Sequence, residues 1–267
     1  MNASDASSKV ERIVKGVLGS ALLFVTLGGG YTSWRTKMIN RLYSEGANYP
    51  GSLGNDAQSA EAVRKLAGYR GERVTAMLLN IAMAQSPLVL ESARSQAIKA
   101  LAERKDPKIA LALTNFIQPY QGLNNRQAVA TALQRLPCSR ECVLAILHYL
   151  ERIWYGEPNY EDWTLDAPGH EDLRQFVPKS QQELYDSLYV VLQREKPITL
   201  EILMHVYGLG TTSPSKFALV VITHLGNSSE GCQLLKQSES EIGRLPSDHY
   251  WGPLGEVNDA ISSLNCK

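Results

Sequence analysis

A chain of 267 residues in which 27 Lys and Arg balance 27 Asp and Glu lacks the basic surplus of a protein that grips phosphates, so no nucleic-acid partner is expected. An apolar content of 44% against 20% charged side chains excludes a globally disordered chain. Only 7% of residues are aromatic, and residues 56–150 are rich in Ala, Leu, Gln, Arg and Glu, which lose little rotamer freedom in a helix. The expected fold class is all-α.

The chain opens on a polar tail, residues 1–15, that carries Lys9, Arg12 and Lys15. Residues 16–34 then hold no charge, a run of roughly 19 residues and just long enough to cross a bilayer as a helix. Two readings compete. One is an uncleaved signal anchor with Tyr31 and Trp34 at the interface and Arg35, Lys37 and Arg41 beyond it. The other is a signal peptide whose apolar core ends at the small residues Gly28 and Gly30. The uncharged stretch runs past those glycines to an aromatic residue, which favours the anchor and a single-pass membrane protein. A buried core helix finds no support, because the segment shows no amphipathic period. Residues 35–57 read as a juxtamembrane segment and linker, ending in the breaker cluster Gly46, Asn48, Pro50, Gly51, Ser52, Gly54 and Asn55. On that reading residues 1–45 are dispensable for folding.

Beyond the linker the chain repeats. The stretch Arg94-Ser95-Gln96-Ala97-Ile98-Lys99-Ala100-Leu101 overlays Arg126-Gln127-Ala128-Val129-Ala130-Thr131-Ala132-Leu133 with Arg, Ala and Leu coincident at an offset of 32. A looser copy begins at Lys65-Leu66-Ala67 and matches Ala100-Leu101-Ala102, with Gly71-Glu72 where the later copy has Asp106-Pro107. A late copy runs from Ser215 to Ile222, then through Leu225-Gly226-Asn227 to Leu235, with the apolar spacing kept and the Arg lost. Small Ala residues on one face allow helices to approach closely, and Asp-Pro ends one helix and begins the next. A single helix pair cannot bury its apolar face alone, so several must stack.

The pattern Arg-x-x-Ala-x-x-Ala-Leu followed by Asp106-Pro107 resembles HEAT repeats, particularly the short bacterial HEAT-like kind also found in phycobilisome lyases. That resemblance implies an α-solenoid, a right-handed superhelix of antiparallel helix pairs, used as a binding surface. It would cover repeats over 58–153 and, more weakly, further repeats and the C-terminal tail over 179–267. HEAT repeats carry no universal catalytic residue to transfer.

Residues 154–178 break the pattern. Between Arg152 and Arg174 lie six acidic side chains, two Trp and two Tyr, with no Lys or Arg. A connection this long inside a compact domain is often functional. Trp154, Tyr155, Tyr160 and Trp163 are candidate aromatic anchors for a protein or peptide, and Asp162 and Asp166 favour a basic partner. The competing reading has Trp154, Tyr155 and Trp163 fold back to cap the repeat stack. A calcium site from Asp162, Asp166, Glu171 and Asp172 is a third, but EF-hand spacing is absent.

No P-loop, His-Glu-x-x-His or nucleophile elbow is present, and Gly208-Leu209-Gly210 lacks the third glycine of a dinucleotide site and reads as a turn. No enzymatic activity, cofactor or metal is therefore expected. The alternative to a scaffold is a lyase-like or ligand-binding repeat protein using the acidic loop, with His170 as acid or base beside Glu171 and Asp172. His148, His205 and His224 sit in apolar helical stretches and read as hydrogen-bonded packing residues. Asn227-Ser228-Ser229 is a glycosylation sequon, meaningful only in a secreted context.

Four cysteines complete the reading. Cys138 and Cys142 follow Pro137 at a helix start, where a residue in the non-helical entry lets the pair close; two small buried hydrophobes are the alternative. Cys232 and the penultimate Cys266 would form a second pair tying down the tail. Bridges imply an oxidising compartment. With three Lys/Arg on each side of the apolar segment, this is what tips the orientation toward a body outside the cytoplasm.

Overall fold

A computed structural model describes residues 32–47, 56–84, 89–117, 123–154, 179–226, 228–245 and 253–266. Among the described residues there are twelve helices and no strand, so the fold is all-α. They are α1 (32–47), α2 (Asp56–Ala67), α3 (Glu72–Ala82), α4 (Glu91–Ala102), α5 (Pro107–Thr114) and α6 (Leu123–Leu133), then α7 (Arg140–Trp154), α8 (Lys179–Arg194), α9 (Lys196–Tyr207), α10 (Lys216–His224), α11 (Ser229–Ile242) and α12 (Pro253–Ser263).

Local chemistry sets several boundaries. Asp106 caps α5, its carboxylate accepting the Lys108 N–H at 2.9 Å, and Pro107 occupies the first turn, where a missing N–H costs nothing. Ser215 and Ser228 cap α10 and α11, their hydroxyl oxygens accepting from Ala218 N–H and Gly231 N–H at 3.0 Å each. The α9 helix ends at Gly208 with φ of 72°, and a Cβ there would meet the Ser213 carbonyl oxygen at 2.8 Å. Both the left-handed backbone and the space require glycine.

Packing follows the chain in steps of two. Helix α2 packs on α4, α4 on α6 and α6 on α8, while α5 packs on α7 and α7 on α9. Chain neighbours also touch: α2 with α3, α3 with α4, α4 with α5, α5 with α6, α7 with α8 and α8 with α9. One apolar core runs through them, and in the aligned helices α4 and α6 the pairs Ala97 and Val129, Ile98 and Ala130, and Leu101 and Leu133 are all fully buried. Each buried aliphatic side chain of Leu size contributes about 1.5–3 kcal/mol of transfer free energy. At the C-terminal end α9 packs on α10, and α12 lies against both α10 and α11.

The N-terminal region departs from expectation. Residues 35–47, expected as part of a linker, lie in α1, which buries Ile39 and Leu42 and docks on the first helices. The contact is close: a Cβ on Gly46 would lie 2.7 Å from Val63 Cγ2. Ser59 Oγ donates to the Glu45 carbonyl at 3.3 Å and Arg73 to Asn40 Oδ1 at 2.8 Å. The apolar side chains Ile39, Leu42 and Tyr43 recur at helical spacing, so this stretch has a face to bury and packs instead of spacing. Residues 1–31, with most of the expected membrane segment, lie outside the described residues. Among the described residues no helix is long and apolar enough to cross a membrane.

Candidate functional site

Where the α2–α3 and α4–α5 turns come side by side, a cleft of about 570 Å³ opens. Its apolar lining comes from Ala67, Leu79, Ala100 and Ile109, and its charged rim from Arg70, Glu72, Glu103, Arg104, Asp106 and Lys108. Arg104 spans the base. Its Nη1 donates to Thr75 Oγ1 at 2.9 Å and its Nη2 to the Tyr69 carbonyl at 3.0 Å, joining the turn after α4 to the one after α2. Burial holds the Arg104 guanidinium below its ordinary range, and the neighbouring charge of Arg70 pushes the same way. Neither guanidinium meets a carboxylate in an ion pair among the described residues. The Asp106 carboxylate is engaged in capping α5.

A second groove of about 320 Å³ lies between α4 and α6, floored by Ala102, Ala128 and Ala132 with Lys99 and Arg135 at its edge. A third, of about 650 Å³, separates Arg41 and Glu45 of α1 from Glu61 and Lys65 of α2. Two of its rim carboxylates are engaged, Glu45 by Arg41 at 2.6 Å and Glu61 by Arg64 at 2.6 Å.

Long side chains at helix ends recur as ties. Arg194, closing α8, donates to the carbonyls of Leu133 and Leu136 at 3.3 and 2.6 Å, and also to that of Gln134. It thereby satisfies carbonyls that the end of α6 leaves open. Gln193 Nε2 and Lys196 Nζ reach the His224 and Leu225 carbonyls at the end of α10, at 3.0 and 3.4 Å. Arg104, Arg194 and their neighbours were not singled out in the sequence. The available signal was a basic residue at the end of several helices.

The candidate anchors fare differently. Trp154 is 9% exposed, and its ring tilts against Phe217 with centroids 6.2 Å apart. It packs in the core, so its expected role as an exposed anchor gives way to a packing role. Tyr155, Tyr160, Asp162, Trp163 and Asp166 lie outside the described residues, as do His170, Glu171 and Asp172. Of the histidines, His224 is a packing residue, its Nδ1 2.8 Å from the Val220 carbonyl oxygen and its ring stacked on Tyr189 at 4.7 Å. His148 and His205 instead face solvent, because each falls on the outward stripe of an otherwise apolar helix. Among the described residues no three His, Cys, Asp or Glu gather as a metal site would require.

Cys138 is bonded to Cys142, and Cys232 to Cys266. The first bridge lies at the entry to α7, with both cysteines buried, and the Cys138 N–H points to Glu195 Oε1 at 3.4 Å. The second fastens α11 to Cys266, just past the end of α12.

No family, no curated protein and no solved structure matches this chain in comparisons with known proteins.

Proposed function

We propose that this chain is a HEAT-type helical-repeat scaffold, tethered to a membrane by residues 16–34, that holds a protein or peptide partner on a body outside the cytoplasm. The observation that carries the reading is the packing in steps of two, α2 to α4 to α6 to α8 beside α5 to α7 to α9, with the apolar pairs Ala97 and Val129, Ile98 and Ala130, and Leu101 and Leu133 buried alike at an offset of 32. Stacked pairs of that kind present turns and grooves in series along one edge, which suits an elongated partner better than a small substrate. Two disulfides support an oxidising compartment, and the uncharged run 16–34 supports the tether.

The test is affinity capture of the full chain from solubilised membranes, repeated in several detergents. A protein recovered reproducibly and in fixed proportion is expected. If only chaperones co-purify, the scaffold reading fails.

A further inference from the structure

We infer that the cleft between the α2–α3 and α4–α5 turns seats an acidic peptide segment, its carboxylate held between Arg70 and Arg104 and its apolar flank laid on Ala76 and Leu79. This rests on the scaffold reading and names the chemistry of its partner. The volume, about 570 Å³, falls within the range of roughly 300–1,000 Å³ typical of ligand sites.

The sign of the partner follows from where the charges sit. Arg104 is partly buried and donates two of its five N–H groups inward, to Thr75 and Tyr69. Arg70 stands near enough to add its repulsion, and neither guanidinium is ion-paired with a carboxylate among the described residues. An acid group placed between two like charges relieves that repulsion and takes up free donors of a fork shaped for carboxylates. The rim acids do not offer an equal seat for a cation. Glu72 and Glu103 are exposed and screened by water and salt, as Arg70 is, so the half-buried Arg104 is the less screened charge, and the Asp106 carboxylate is engaged with the Lys108 N–H. The occupant is a peptide and not a free anion because the half-buried Leu79 and the exposed Ala76 supply apolar surface beside the charges.

The test uses the full chain in a nonionic detergent with an acetylated, amidated Leu-Glu-Glu-Leu peptide carrying an uncharged fluorophore. A Leu-Gln-Gln-Leu peptide and sodium acetate serve as comparisons. The Glu peptide is expected to bind about tenfold more tightly than the Gln peptide, and Arg70→Gln to weaken it by about three- to tenfold. Lys65→Gln, at an exposed position outside the cleft, is expected to leave binding unchanged. Arg70 is itself exposed and makes no hydrogen bond among the described residues, so circular dichroism should show Arg70→Gln folded like the parent. Equal binding of the two peptides, indifference to Arg70→Gln, or saturation by acetate as tight as by the Glu peptide would overturn the inference. Its failure is distinguishable from that of the scaffold reading. If the peptide does not bind while affinity capture still recovers a partner, the cleft assignment falls alone; if the peptide binds and no partner is captured, the scaffold reading falls alone.

Discussion

Arg126 is buried at 6% exposure and donates from Nη1 to Tyr149 Oη at 3.2 Å, whereas Arg94, its counterpart in the repeat, is only half-buried. The sequence overlay places the two at equivalent positions of the repeat. Arg126 differs in the depth of its burial and in the Tyr149 hydroxyl that meets it there. Arg126→Ala should therefore cost about 1–3 kcal/mol in urea unfolding, and Arg94→Ala less. Equal losses would restore the equivalence read from the repeat. Arg194 makes a different use of the same side chain, reaching three carbonyls at the end of α6. Arg194→Ala should cost about 1–2 kcal/mol, and Arg194→Lys should recover little, because a point charge on a flexible stem cannot reproduce the fork. Glu141 adds a pH signature. Its own backbone N–H and then the Ser139 hydroxyl hold its carboxyl below the ordinary value of 4.5. A group whose folded pKa is depressed stabilises above its unfolded value and loses that contribution as pH falls through the folded one. Carboxyl NMR should place the Glu141 midpoint below 4.5, and a midpoint at or above it would contradict the capping geometry.

At the scale of elements, the repeats were legible because Ala and Leu recur at helical spacing, and Asp106-Pro107 was legible because a capping carboxylate and a proline each act locally. Helix α1 was not. Its buried residues Ile39 and Leu42 stand directly after a long apolar run and before a glycine cluster, so its amphipathic period is short and easily assigned to its neighbours. The cleft was equally out of reach, since Arg70 and Arg104 are 34 positions apart (104 less 70) and meet only because α2 and α4 stack. This changes what truncation should do. A chain starting at Asp56 loses the burial of Ile39 and Leu42, about 1.5–3 kcal/mol each. Each kcal/mol lowers the melting temperature of a domain this size by about 2–4 °C. A chain starting at residue 32 should keep the parent melting temperature of the body, and the one starting at Asp56 should melt several degrees lower. Identical melting of the two would return α1 to the role of a spacer.

For the whole molecule, the two disulfides differ in what they constrain. Cys138–Cys142 spans 4 positions at the entry to one helix, while Cys232–Cys266 spans 34 and closes α11 and α12 into a single loop. Loop-closure entropy then assigns about 2 kcal/mol to the short bridge and about 3–4 kcal/mol to the long one. Packing shifts the comparison in the same direction. The short bridge joins residues already buried in the core and held near Glu195, so its loss leaves the turn tied by Arg194. The long bridge fastens a terminal helix whose own burial rests on Val257, Ala260 and Leu264. Cys266→Ser should therefore lower stability more than Cys138→Ser, and it should raise amide exchange in α12 ahead of the rest of the body. Thiol labelling of denatured protein taken from its native membrane tests the premise: without reductant no cysteine should label, and with reductant all four should. Four thiols labelled without reductant would remove both bridges and turn the body toward a reducing compartment.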